Sequence, residues 1–333
     1  MQDNALRIAV RGTGRALPAR SVTTADLGDI LGPGGATCAS GVTQRFVCGE
    51  ETQIDLAVAA SAAALDDAGV TAKDIDLIIS GSAVPYQPIP AMAPLIMRAL
   101  GTADGSAAAF DVNSTCLSFV SAMEMAARMI QGGGARRALV VASEVASRAV
   151  PWETQPEVAA LFGDGAAAAV ISASAPDETG EIRAVRLRSY PSGYEACGIG
   201  AGGTRFDLEA EREAFLAHSK FTMEGKTLFR LASKYFGDFV EDLLADAGWD
   251  RRDVDLVVPH QASPAALDHM IHQTGFDRAR VVRIAERFGN QIAASIPFGF
   301  DLARKEGHVP KGSRVLFLGT SAGVSFGGAA LVI

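Results

Sequence analysis

One stretch of this 333-residue chain occurs twice. Leu65-Asp-Asp-Ala-Gly-Val-Thr-Ala-Lys-Asp-Ile-Asp-Leu-Ile-Ile79 returns as Leu244-Ala-Asp-Ala-Gly-Trp-Asp-Arg-Arg-Asp-Val-Asp-Leu-Val-Val258. Each copy reads as a helix end marked by Ala-Gly, a polar turn, and a short β-branched strand. A second echo pairs Ala166–Ile171 with Gly328–Ile333, and each follows a strand-like run, Ala138–Ala142 and Arg314–Leu318. Two echoes in the same order point to a duplicated chain. Length agrees, since 333 residues is long for a single core. The divide falls in the polar, Pro-containing stretch Ser172–Thr179, giving halves 1–174 and 175–333. Without a long linker, the two should pack tightly.

Apolar periodicity fills in each half. Helices are predicted at Gln53–Ala68, Leu117–Gly132, Thr222–Ala247, Ala265–Gly275 and Ile292–Glu306. Strands are predicted at Arg7–Arg11, Leu77–Ser80, Ala107–Val112, Leu139–Ala142, Ala166–Ile171, Leu256–Pro259, Val315–Leu318 and Ala329–Ile333. Helices alternating with short buried strands imply a layered α/β fold. Hydrophobic residues make up 48% of the chain and charged ones 20%, as in a compact enzyme and not a disordered scaffold. A net charge of −8 and the lack of any long Lys/Arg run argue against nucleic acid. No CxxC pair or Cys/His cluster suggests a metal. No signal-peptide core or uncharged apolar span suggests export or a membrane, so a cytoplasmic protein with free thiols is expected.

Cys116 carries the chemical signal. Ala107-Ala-Ala-Phe-Asp-Val-Asn-Ser-Thr-Cys116 reads as a small apolar strand ending in a polar turn, followed by a helix almost free of charge. A thiol at that junction lies at the positive end of the helix dipole, which is expected to lower its pKa. The alternative is a small buried hydrophobe, the usual fate of a free cysteine. For Cys38, Cys48 and Cys197 the structural reading dominates. His260, in Val-Pro-His-Gln-Ala-Ser, follows a strand, where open α/β sheets place active-site groups; a satisfied core imidazole is the alternative. Asn290, in Phe-Gly-Asn-Gln-Ile-Ala-Ala-Ser-Ile-Pro, reads equally as a turn or N-cap. Gly319–Gly328 lacks a P-loop lysine and is not followed by a helix, so it fits a hairpin or an oxyanion donor better than a phosphate cradle. Together Cys116, His260 and Asn290 suggest acyl transfer, with a nucleophile and donors for an oxyanion.

These segments, with Phe162-Gly-Asp-Gly-Ala-Ala-Ala-Ala-Val, resemble β-ketoacyl-ACP synthase III and its relatives, in the family order and over nearly the whole chain. The resemblance implies a thiolase-like αβαβα fold and a decarboxylating Claisen condensation of an enzyme-bound acyl group with a malonyl thioester. It implies Cys116 as the acylated nucleophile and His260 and Asn290 as donors to the enolate oxygen. The N–H groups of Cys116 and Gly323 would form a second oxyanion hole. Acyl carrier protein, an acyl-CoA or acyl-ACP primer and a second copy of the chain would be the partners, and no cofactor would be needed. Val84, Ile89, Phe162 and Ser263 would line the substrate path, and Arg148 would pair with a carboxylate on the primer or form a structural salt bridge.

The chain also departs from the family. Leu31–Ser40 lacks the Trp that stacks on CoA adenine, Trp152–Leu161 lacks the CoA-binding Arg, and Ser263–Leu267 lacks the carrier-docking Arg. The segment Val84–Ala91 reads as longer than usual. An unusual primer is expected, such as a glutaryl-type dicarboxylic thioester of biotin precursor synthesis or a secondary-metabolite starter. A non-condensing acyltransferase and a non-catalytic partner subunit are the competing readings; the intact trio argues against the second.

Overall fold

The computed structural model describes residues 5–31 and 41–333. Cys38 and most of the Trp-less segment Leu31–Ser40 therefore lie outside the described residues. In the first half, the elements run β1 (Ile8–Ala16), β2 (Ser21–Thr23), α1 (Thr24–Leu31), β3 (Gln44–Phe46), α2 (Gln53–Ala68), β4 (Leu77–Ser80), α3 (Met92–Ala99), β5 (Ala108–Asp111), α4 (Ser118–Gln131), β6 (Arg137–Glu144), α5 (Pro156–Ala159) and β7 (Gly165–Ala173). The second half continues with β8 (Glu181–Ser189), β9 (Cys197–Gly198), α6 (Arg212–Ala217), β10 (Thr222–Met223), α7 (Gly225–Ala247), β11 (Leu256–Pro259), α8 (Pro264–Thr274), α9 (Ala285–Phe288), α10 (Ser295–Lys305), β12 (Arg314–Ser321) and β13 (Ser325–Val332).

Two sheets share one topology. The first has the order β5-β4-β6-β7-β1, with β4 parallel to β5 and β6, and β7 antiparallel to β6 and β1. The second has the order β11-β12-β13-β8, with β11 parallel to β12 and β13 antiparallel to both neighbours. Where β5 would have its counterpart, a single parallel bridge joins Val257 to Val281.

The sequence echo repeats down to single hydrogen bonds. Helices α2 and α7 end on Gly69 and Gly248, both left-handed at φ 65° and 69°, which a side chain would disfavour. A one-turn 3₁₀ helix follows each, closed by a capping box at Thr71/Asp74 and Asp250/Asp253. Asp76 then accepts the Arg137 N–H at 2.9 Å, as Asp255 accepts that of Arg314 at 2.8 Å, docking β4 onto β6 and β11 onto β12.

Strand alternation sorts the core into layers. Leu77 and Ile79 of β4 and Val315 and Phe317 of β12 point between the sheets, onto α4 and α10. Ile78 turns outward to α2 and α3, and Leu316 and Leu318 turn outward to α7 and α8. Helix α4 is nearly free of charge because it is the middle layer, with Phe119, Met123, Ala126 and Ala127 almost fully buried. On the outer face β1 lies so close to α2 that a Cβ on Gly14 would run into the Ala60 carbonyl and the Ala64 amide.

Some element boundaries differ from the sequence reading. The helix expected from Thr222 starts at Gly225, because Thr222–Met223 pairs as β10 with β9. The helix expected from Ile292 opens with a 3₁₀ turn and becomes α-helical at Ser295. The glycine-rich Gly319–Gly328 is the tip and start of the β12–β13 hairpin.

Candidate active site

The Asn-Ser-Thr run is a built turn. Asn113 accepts the Thr115 N–H at 2.8 Å with its side-chain oxygen and donates to the Ala83 carbonyl at 2.8 Å. Ser118 Oγ accepts the Ser114 N–H at 2.9 Å and donates to the Thr115 carbonyl at 2.6 Å. Between them Thr115 sits at φ 51°, a left-handed conformation that costs a β-branched residue about 1–3 kcal/mol. Cys116 follows in a 3₁₀ turn, Thr115–Leu117, and α4 begins at Ser118.

The expected lowering of the Cys116 pKa is corrected. Burial pushes the thiol up to about 12, reinforced by the neighbouring Cys197 and Glu144 and opposed by the N–H groups of Ala322 and of Cys116 itself. A helix terminus stabilises a thiolate, but stripping that thiolate of water in a site without a cation costs more. The resting nucleophile is a neutral thiol. Glu144, which the sequence reading did not single out, is fully buried and pushed up to about 8 by that burial. Its carboxyl accepts the N–H groups of Ala83 at 2.5 Å and Val84 at 3.3 Å, pinning the Val84 loop to the end of β6.

His260 lies where β11 runs out, and its N–H donates to the Leu318 carbonyl at 2.7 Å. Burial pushes the imidazole down to about 4, with the Ile292 backbone pulling the other way, so the ring is neutral. Among the described residues, its buried Nδ1 has no hydrogen-bond partner. Asn290 is held by its own backbone, whose N–H donates to the Leu161 carbonyl at 2.7 Å. Its side-chain oxygen accepts the Ile292 N–H at 2.8 Å, which leaves the amide nitrogen as the group that donates, 3.4 Å from the Ala262 carbonyl. Gln261 ties the two arms together. It donates to the Pro259 and Val282 carbonyls at 2.9 and 3.1 Å and accepts the Ile284 and Ala285 N–H groups at 3.0 and 3.1 Å.

Cys116, His260 and Asn290, contributed by three separate stretches of chain, line one cavity of about 700 Å³ together with Val84 and Phe162. Cys197, which the sequence reading assigned to structure, is on the same wall, as is Ala322. Nothing local marks Cys197; only the glycines that follow it hint at a chain passing close to something. Ser263 instead faces a second space of about 350 Å³ between α7 and α8, which shares His260 and Ala262 with the first, and its hydroxyl caps α8 by accepting the Ala266 N–H at 3.1 Å. Arg148 and Ile89 do not line the cavity: Arg148 is exposed and reaches the Gly49 and Glu51 carbonyls, each at 3.4 Å, and Ile89 is 87% exposed. Gly323 follows Ala322 at the hairpin tip with φ 123°. No helix among the described residues is long and apolar enough to cross a membrane.

Layers and topology define a thiolase-like fold. Two family models match: 3-oxoacyl-[acyl-carrier-protein] synthase III over residues 110–191, and its C-terminal counterpart over residues 244–333. The chain is 37% identical to β-ketoacyl-[acyl-carrier-protein] synthase III 3 of Streptomyces coelicolor over 324 residues, 96% of this chain and 95% of that one. It is 34% identical to the synthase III of Rhizorhabdus wittichii over 328 residues, covering 98% and 99%. Among solved structures, it matches 3-oxoacyl-[acyl-carrier-protein] synthase III of Aquifex aeolicus with a TM-score of 0.86 and 30% identity, covering 98% of this chain and 100% of that one. A priming β-ketosynthase of a polyketide biosynthetic pathway matches with a TM-score of 0.86 and 28% identity, covering 98% and 96%. The chain belongs to the β-ketoacyl-[acyl-carrier-protein] synthase III family.

Proposed function

We propose that this enzyme joins an acyl primer to a malonyl thioester with loss of CO₂. In the first half-reaction, Cys116 Sγ attacks the primer's carbonyl carbon. The bond to the carrier sulfur breaks, and the thiol proton leaves with the carrier thiol. In the second, the malonyl carboxylate departs as CO₂. The electron pair enters the enolate, whose oxygen takes hydrogen bonds from His260 and Asn290. The enolate carbon attacks the acyl-cysteine, releasing a β-ketoacyl thioester and a cysteine thiolate that takes up one proton. Oriented donors in a site with little water supply this stabilisation without reorganising during the step.

The observation that supports this reading best is the meeting of Cys116, His260 and Asn290 in one largely apolar cavity. The N–H groups of Cys116 and Gly323 are proposed for the acyl oxyanion, with Ala322 as a further donor. Val84 and Phe162 are proposed as primer contacts. Ser263 is proposed to border the entry of the carrier's arm. Acyl carrier protein is the proposed donor of the malonyl unit. Exposed Lys226, Arg230 and Lys234 are spaced along one face of α7, the helix whose Leu228 and Phe229 line the second space that Ser263 faces, and offer the positive surface an acidic carrier needs in a chain of net charge −8. We further propose a cytoplasmic homodimer, with 1–174 and 175–333 as the duplicated halves. The test is to incubate the enzyme with acyl-CoA and carboxyl-labelled malonyl-ACP, measuring labelled CO₂ and the mass of the Cys116 peptide. An acyl adduct confined to another cysteine, or acyl transfer without CO₂, would overturn the reading.

A further inference from the structure

The cavity at Cys116 is large and carries no charge. Its wall includes Ala83, Ala149, Ile199, Phe221, Val324 and Phe326, and among the described residues no Lys, Arg, Asp or Glu lines it. Residues 1–4 and 32–40, outside the described set, contain no Lys or Arg either. The imidazole of His260 is neutral, and Arg148 does not line the cavity, its Nη2 lying 3.4 Å from the Gly49 and Glu51 carbonyls. A carboxylate at the far end of a primer would lose its water and find no cation to replace it.

Gly198 lines the cavity from β9, is partly buried, and a side chain built on it meets nothing within 4 Å. Its backbone φ is not in the left-handed region, so conformation does not demand glycine there. The volume of about 700 Å³, shared between the primer at Cys116 and the malonyl unit at His260 and Asn290, falls in the range of pockets that enclose whole drug-sized ligands.

We infer that the primer is an uncharged, bulky apolar acyl group, held by burial in this uncharged cavity, and not an acetyl or a dicarboxylic acyl group. This rests on the condensing role proposed above and names its substrate class. Recognition by burial has a quantitative signature, because each methylene taken out of water adds about a fourfold gain in transition-state binding until the wall is reached.

The experiment measures acylation of Cys116 by mass spectrometry, and CO₂ release with malonyl-ACP, across acetyl-, butyryl-, valeryl-, hexanoyl-, octanoyl- and glutaryl-CoA. Expected is a rise in kcat/KM of about fourfold per methylene from acetyl to hexanoyl. Glutaryl should fall about a hundredfold or more below valeryl, which has the same number of carbons. A preference for acetyl, or parity of glutaryl and valeryl, would overturn the inference with the wild-type enzyme alone. Failure of every thioester to acylate Cys116 would instead sink the condensing role itself.

Discussion

The three residues at the cavity divide the labour by charge state. Cys116 is a neutral thiol at rest, so its reactivity must come from deprotonation as it reacts, and a standing thiolate is not part of the design. Alkylation of the Cys116 peptide by iodoacetamide should therefore accelerate about tenfold per pH unit from pH 7 upward, following the rising thiolate fraction below a pKa of about 12. A plateau reached by pH 8 would show a thiolate stabilised well beyond what burial allows. His260 and Asn290 act in the other half-reaction. Replacing either by Ala removes one oxyanion donor, and malonyl decarboxylation should drop about 10²–10³-fold. Acylation of Cys116 should persist in both variants, because the N–H groups at the sulfur belong to Ala322 and Cys116 and not to that pair. Parallel loss of both half-reactions would mean that His260 serves mainly as a base to the thiol.

At the level of elements, the site depends on how closely the layers approach. Helix α4 can carry the nucleophile into the middle of the molecule because its buried face is mostly Ala, Met and Phe. Ala and Gly similarly let α2 rest on β1. A Val at Gly14 would have to displace the α2 backbone, which cannot swing aside as a flexible side chain would. Overpacking of this kind costs about 3 kcal/mol or more, and Gly14→Val should lower the thermal midpoint by several degrees. Gly198→Val, placed in open space, should leave it near the wild-type value. A Gly14→Val protein as stable as wild type would mean that β1 and α2 can separate freely. Legibility at this scale followed periodicity: α2 runs over Gln53–Ala68 as its apolar pattern predicts, whereas β9 and β10, two residues each, carry no periodic signal and exist only because their backbones meet.

For the whole molecule, the first sheet leaves an edge. Among the described residues, strand β5 pairs on one side only, with β4, and its residues from Ala109 to Asp111 are partly exposed. Tyr86 and Ile89 are exposed nearby, on the loop that runs from the cavity wall to α3. An open strand edge beside exposed apolar side chains invites pairing, and a two-fold pairing of β5 with its copy would close it. Sedimentation at micromolar concentration should therefore give twice the 34.6 kDa chain mass. A stable, fully active monomer would overturn the proposed dimer and leave the edge to be explained otherwise.

The order of motifs, the duplication and the elbow at Cys116 could be read from the sequence because each depends on neighbours within a few residues. An Ala-Gly helix end, an Asp three residues after Thr71, and an Asn-Ser-Thr turn carry their hydrogen-bond partners with them. What depends on distant chain could not be read that way. Burial decided that Cys116 is a neutral thiol, overriding the helix terminus that the local sequence shows. Packing brought Cys197 onto the cavity wall and turned Arg148 and Ile89 away from it, although Arg148 follows closely on β6 and Ile89 on the loop at the site. Desolvation and side-chain direction are sums over contacts made across both halves, so only the folded chain sets them.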